Sequence, residues 1–203
     1  MKIFAIGRNY VDHAKELNNP LPAEPMFFMK PDTALVRGNK PFFYPDFSNE
    51  IHYETEILLK VCKSGKSVEE KFANRYYSEI GIGIDFTARD IQRKCQEKGT
   101  PWEIAKSFDN SAPVSKFIPK ANFSDLKNIH FHLDINGNIV QKGNTADMIF
   151  HFDRLISHIT KYITIRMGDI VFTGTPAGVG PVKIGDRLQA YIEDELMLDF
   201  YIK

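Results

Sequence analysis

The stretch IHYETEILLK, residues 51–60, reads as a β-strand destined for the interior. Ile51, Tyr53, Ile57, Leu58 and Leu59 are apolar or aromatic, and the run over 51–62 is the longest strand candidate of the chain. Two carboxylates, Glu54 and Glu56, interrupt it two residues apart. Residues i and i+2 of a strand face the same way, so the pair shares a face with Cα atoms roughly 6.5–7 Å apart. If the carboxylates come within about 5 Å at an effective dielectric of about 20, their repulsion is about 3 kcal/mol, and burial adds several kcal/mol per ion. A proton or a cation must then relieve the cost. The competing reading is the solvated face of an edge strand, where neither is needed.

The segments that follow supply a third carboxylate. YSEIGIGID (77–85) reads as a strand whose glycines permit close backbone approach, and Asp85 stands at its mouth. TARDIQRKCQEKG (87–99) follows as a helix, with Thr87 and Asp90 in a capping pattern and Gly99 as the stop. Glu54, Glu56 and Asp85 are hard oxygen donors, suited to Mg²⁺, Mn²⁺ or Ca²⁺. His52 lies on the face of Glu54 and reads as a supporting or core histidine rather than a ligand.

Lys2–Ile6 reads as a short strand and Tyr10–Leu17 as a short helix, ended by the prolines of NNPLP. The 18–50 region, rich in breakers, is expected to be irregular, with MFFMK, ALV and FFYP as short extended pieces. Val68–Tyr76 is predicted helical, and Ile149, Phe152, Ile156 and Ile159 recur at helical spacing. IHFHLDINGNIVQK (129–142) is a hairpin turning on Asn136-Gly137, DIVFTGTPAGVG is a strand entering a glycine-rich loop, and DRLQAYI with LMLDFYI forms a second hairpin. Strands outnumber helices and come in hairpins, not in regular β-α alternation. The expected class is α+β, rich in antiparallel strands, and not a doubly wound parallel sheet.

Composition narrows the function. The 203 residues are read as one domain, 1–203, and 43% hydrophobic with 26% charged residues is ordinary for a soluble protein. The 26 basic and 26 acidic residues cancel, so nothing points to nucleic acid or to a membrane surface. Cys62 and Cys95 fit no zinc or disulfide pattern and read as free thiols. The apolar run before Arg8 is too short for a signal peptide, and no run reaches the ~18 residues of a membrane span, so a cytoplasmic protein is expected.

Other groups have chemical potential. His13 and Glu16 share one face of the first helix, as a general-base dyad or as a surface pair. Lys106, in PWEIAKSFDN, could stabilise an enolate or lie on the surface with its stem on Trp102. TGTPAGVG (173–180) could offer N–H groups to an anion but is not a P-loop. His130, His132 and Asp134 alternate with Ile129, Phe131, Leu133 and Ile135, as the wet face of a hairpin does.

Taken together, GRNYVDHAKE, FFMKP, HYETEILL, GIDFTARDIQ, PWEIAKSFD, GNTADMIF and GDIVFTGTPAGVGPVKIGD resemble the successive motifs of the fumarylacetoacetate hydrolase family, in order and over nearly the whole chain. The likeness is to its short members, the acylpyruvases, oxaloacetate decarboxylases and related isomerases of aromatic catabolism. The resemblance implies a mixed-strand roll around a central metal site and a homodimer. It implies Mg²⁺ or Mn²⁺ at Glu54, Glu56 and Asp85, with Ca²⁺ as a substitute. It casts His13 and Glu16 as a dyad on a lid, Lys106 as the active-site lysine, and Arg8, Gln92 and Thr175 as substrate contacts. The chain starts almost at GRNY, without the additional N-terminal domain of fumarylacetoacetases proper, so a smaller 2-oxo acid is the expected substrate. The implied chemistry is cleavage of a C–C bond through an enolate, by acylpyruvate hydrolysis or oxaloacetate decarboxylation. Isomerisation of a dienol dioate, or a 2-oxo acid binder with little turnover, are the alternatives.

Overall fold

The computed structural model describes residues 1–16 and 21–203. Its largest element is a six-stranded sheet in the order Met26–Lys30, Ile3–Gly7, Ile170–Phe172, Thr55–Val61, Tyr77–Ile84 and Ile118–Pro119. Ile3–Gly7 pairs parallel to Ile170–Phe172, and the other neighbours are antiparallel. Alternate residues of these strands feed two cores. Phe4, Ile6, Ile57, Leu59 and Val171 pack into the larger one, and Ile3, Ala5, Leu58, Ile170 and Phe172 into the smaller. A sheet buried on both faces needs near-continuous apolar strands, which is why ILL at 57–59 carries no polar alternation.

A four-stranded antiparallel sheet, Asn138–Asn144, His130–Ile135, Arg187–Ile192 and Glu195–Tyr201, contains both expected hairpins. Asn136 and Gly137 have φ of 54° and 81°, the left-handed pair that a type I′ turn requires. Phe131 and Leu133 are buried while His130 is exposed and His132 half-buried, so the wet-face reading holds. Helix Phe152–Tyr162 buries Phe152, Leu155, Ile156 and Ile159, a stripe at spacings of three and four.

The strand predicted over 51–62 is broken. Ile51–Tyr53 joins a small sheet with Gly180–Pro181 and Thr87–Ala88, whereas Thr55–Val61 belongs to the large one. Glu54 is the residue at the break, and Tyr77–Ile84, of eight residues, is the longest strand among the described residues. Thr87 pairs within the small sheet and does not cap the next helix; its hydroxyl donates to the Asp85 carbonyl. That helix runs Arg89–Lys98 and ends at Gly99 with φ 63°, as expected. The helix expected over 68–76 shortens to Glu70–Ala73, and the 18–50 region contains a five-residue strand, Met26–Lys30. The first helix spans Val11–Glu16; its expected end at Leu17 and the stop at Pro20 lie outside the described residues.

Candidate active site

The site forms where several strands of the large sheet end together. Ile3–Gly7 and Ile170–Phe172 run parallel, and Tyr77–Ile84 runs the same way two strands over, so residues 8, 85 and 173–175 emerge at one edge. Thr55–Val61 runs opposite and starts at that edge. Thr55 lies opposite Ile84, and the Asp85 N–H donates to the Glu54 carbonyl at 2.8 Å, so the two acidic residues face each other across the ladder. Glu56 lies opposite Gly83, where a Cβ would stand 2.8 Å from the Pro113 carbonyl oxygen.

Glu54, Glu56 and Asp85 are buried, and each places a carboxylate oxygen within 4.8 Å of the others. Three cations surround them. Lys106 Nζ donates to Glu54 Oε2 at 2.7 Å and to Asp85 Oδ2 at 2.9 Å. Lys30 Nζ lies 2.7 Å from Asp85 Oδ1 and also donates to the Lys106 carbonyl. Arg89 donates to Glu54 Oε1 at 2.6 Å and, through Nη1, to Gln92 Oε1 at 2.6 Å. Gln92 therefore turns its amide donors away from Arg89. Lys106 is 3% exposed, which excludes the surface-lysine alternative.

The charges are unevenly matched. Burial raises the Glu54 carboxyl, but Lys106 and Arg89 outweigh it and hold the group below the usual carboxylate range. Glu56 has no ion pair among the described residues. Its Oε2 accepts the Gly174 N–H at 2.6 Å, and burial, then Asp85 and Glu54, push its carboxyl well above the ordinary value. A buried carboxylate facing two others fits a hard dication, as does the all-oxygen donor set.

His13 is buried and its Nδ1 lies 3.1 Å from Glu16 Oε2, so the dyad is formed. Glu16 also accepts the Gly178 N–H at 3.1 Å, which ties the short helix to the glycine-rich loop. Arg8, His13, Glu54, Asp85, Gln92, Lys106 and Thr175 line one narrow cavity of ≈ 40 Å³. It shares Arg89, Gln92 and Gln96 with an outer pocket of ≈ 350 Å³ that reaches Glu16 and Glu50. Arg8 has φ 57°, a left-handed conformation unusual for a side chain of this size, and its neighbour Asn9 holds it there. Asn9 donates to the Phe150 and Thr173 carbonyls at 2.9 and 2.8 Å and accepts the Phe150 N–H at 2.8 Å.

All nine expected site residues thus converge on one end of the sheet. Lys30, Arg89 and Asn9 escaped the reading of spacing. A lysine closing the apolar run MFFMK before Pro31, and an arginine four residues after Asp85, were the available signals.

Comparison with known proteins identifies the family. The family described as fumarylacetoacetate (FAA) hydrolase C-terminal matches residues 2–198. The chain is 41% identical over 201 residues to the mitochondrial oxaloacetate tautomerase FAHD1 of Bos taurus, covering 99% of this chain and 91% of the relative. It is 43% identical over 192 residues to the mitochondrial oxaloacetate decarboxylase of Dictyostelium discoideum, covering 94% and 88%. A crystal structure of fumarylpyruvate hydrolase from Pseudomonas aeruginosa, in complex with Mn²⁺ and pyruvate, superposes with a TM-score of 0.94 at 31% identity, covering 100% of this chain and 89% of that one. With the family model matched over residues 2–198, and with the fold and nearly the full length in common with these relatives, the chain belongs to the fumarylacetoacetate hydrolase family.

Proposed function

We propose that this protein is an enzyme acting on a small 2-oxo dicarboxylic acid of the oxaloacetate type, by forming and quenching its enolate. The observation that carries this reading is the placement of His13, held by Glu16 from the outer pocket, and of Lys106 on the same narrow cavity as Glu54 and Asp85. The names of the relatives support the substrate class: oxaloacetate tautomerase, oxaloacetate decarboxylase and fumarylpyruvate hydrolase share the enolate of a 2-oxo acid.

A divalent cation held by Glu54, Glu56 and Asp85 would supply Lewis-acid polarisation of the 2-oxo group. The three buried cations cancel the three carboxylates, so a bound dication leaves the site doubly positive, the complement of a dicarboxylate. Arg8 and the amide hydrogens of Gln92, which have no partner among the described residues, are the donors that orient the substrate's carboxylates. Glu16 takes the Nδ1 proton of His13 as a hydrogen bond and leaves Nε2 as the base. His13 removes a proton from C3, the C–H electrons move into the C2–C3 bond, and charge accumulates on the 2-oxo oxygen. Lys106 stabilises that charge. Return of the proton to C3 or to oxygen completes a keto–enol interconversion. Loss of CO₂ from the keto form breaks the C3–C4 bond, its electrons move into the C2–C3 bond, and the resulting pyruvate enolate takes its proton from solvent.

Acylpyruvate hydrolysis is the second reading, favoured by the fumarylpyruvate hydrolase likeness. There His13 activates water for attack on the distal carbonyl, and pyruvate enolate leaves. The test follows enol absorbance, pyruvate and CO₂ separately, with oxaloacetate and with acylpyruvates, in the presence of Mg²⁺ or Mn²⁺ and of chelator. The expected result is metal-dependent turnover of oxaloacetate, and His13→Ala slows proton transfer and hydrolysis about 10²–10⁴-fold while affecting decarboxylation less. Absence of turnover on every 2-oxo acid with metal present overturns the reading. A homodimer also belongs to this proposal, supported by an apolar surface pocket of ≈ 650 Å³ with Phe47 and Ile104 exposed at it, and sedimentation at the monomer mass overturns it.

A further inference from the structure

We propose that Gln141 is a positioning residue that fixes the spacing of Glu54 and Glu56 and the hydrogen-bonding direction of Thr175. The proposal rests on the reading that the acidic cluster holds a divalent cation.

Gln141 comes from a different sheet, in the strand Asn138–Asn144, and its side chain is buried among polar groups. Its Oε1 accepts the Thr55 N–H at 3.0 Å. Its Nε2 donates to Thr175 Oγ1 and to the Pro176 carbonyl, both at 2.8 Å. The amide orientation is unambiguous, because a main-chain N–H can only donate and a carbonyl can only accept. Thr175 Oγ1 in turn donates to the Thr55 carbonyl at 2.9 Å. The result is a closed ring in which Gln141 and Thr175 together bind both main-chain groups of Thr55.

The ring stands where the sheet runs out. Ile170–Phe172 pairs with Leu58–Lys60, and the Thr173 N–H still reaches the Ile57 carbonyl. At Gly174, with φ 101°, the chain turns off and gives its N–H to Glu56 instead. Thr55 therefore loses its strand neighbour on that side, between the two glutamates whose spacing matters. A buried main-chain pair without partners is costly, and here side chains replace the missing strand. The register of Glu54 and Glu56 is thus set by Gln141 and not by sheet pairing alone.

Thr175 follows from the same ring. Its one proton goes to Thr55 and one lone pair receives Gln141, so toward a ligand the hydroxyl can only accept. It meets a donor, such as the O–H of an enol, and not a bare carboxylate oxygen.

The test uses full-length protein, with Mn²⁺ as the probe, and the variants Gln141→Met and Gln141→Glu. The first keeps length and bulk without hydrogen bonds; the second keeps the acceptor toward Thr55 and removes both donors. Mn²⁺ affinity of the metal-free folded protein is measured by calorimetry, beside thermal unfolding and the kcat and KM for oxaloacetate. The expected result is Mn²⁺ affinity and kcat each lowered by about 10–100-fold, the range for outer partners of a metal site, with a smaller change in KM. Thr175→Val then adds less in the Gln141→Met background than in the parent protein, since the ring is already open. A variant that unfolds at lower temperature yet keeps parental Mn²⁺ affinity and kcat overturns the proposal. Should Gln141→Met fail to fold, Gln141→Glu decides on the same two readouts. If the parent protein binds no Mn²⁺, the metal reading falls and takes this inference with it; parental binding with unaffected variants removes the inference alone.

Discussion

At Glu56 a carboxylate is almost fully buried beside two others, with one main-chain N–H as its hydrogen bond. Relief of that repulsion gives Glu56→Gln opposite effects on binding and on folding. Mn²⁺ affinity and metal-dependent turnover are lost, while the metal-free protein unfolds at an equal or higher temperature than its parent; differential scanning calorimetry beside a Mn²⁺ titration checks both. Lys30 behaves in the opposite sense. Its ammonium lies against Asp85 with no exposure, and burial lowers its pKa although Asp85 pulls the other way. Removing one partner of a buried pair costs about 3–5 kcal/mol, so Lys30→Met lowers Tm by about 10 °C or prevents folding. The acidic residues were legible because an E-x-E in an apolar strand has a computable cost. Lys30 and Arg89 were not, since a charged residue at the end of an element ordinarily reaches solvent. Only long-range pairing turned these two inward.

At the scale of the element, the turns and stops were legible and the breaks were not. Asn136-Gly137 and Gly99 act through their own backbone freedom, which a sequence shows directly. The break at Glu54 depends on partners from residues 87–88, 141 and 180–181, which no local pattern contains. Thr87 misled for the same reason: its capping pattern was real, but a strand partner claimed its backbone. Asp90, the other half of that pattern, does tie the helix start to the distant loop before Ile51. It accepts from Ser48 Oγ at 2.7 Å and from the N–H groups of Asn49 and Ile91 at 3.3 and 2.9 Å. Burial raises the Asp90 carboxyl, but Ser48 and the two N–H groups prevail and leave it below its ordinary value. A carboxyl lowered on folding adds stability above its unfolded pKa and loses it as pH falls through the folded one. Asp90→Asn should therefore lower Tm by about 2–4 °C near pH 7, and the difference from the parent should shrink below about pH 4, measured by thermal melts across that range.

Across the whole molecule, the α+β class and both hairpins follow from local periodicity, whereas the parallel pairing of Ile3–Gly7 with Ile170–Phe172 joins the two ends of the chain. The site inherits that breadth, taking residues from 6 to 175. A dication bound only by the native arrangement stabilises it by mass action, about 2.7 kcal/mol at a hundredfold excess over Kd. Mn²⁺ or Mg²⁺ should therefore raise Tm by about 5–10 °C, and chelator should reverse the rise. During synthesis the first strand waits for its parallel neighbour until residue 172 has left the ribosome. At about 5–20 residues per second that delay is roughly 10–30 s, during which the main-chain groups of Ile3–Ala5 on that edge lack their strand partner. The carboxylate cluster likewise lacks Gly174 and Thr175 until then, so the site is among the last parts of the fold to be completed.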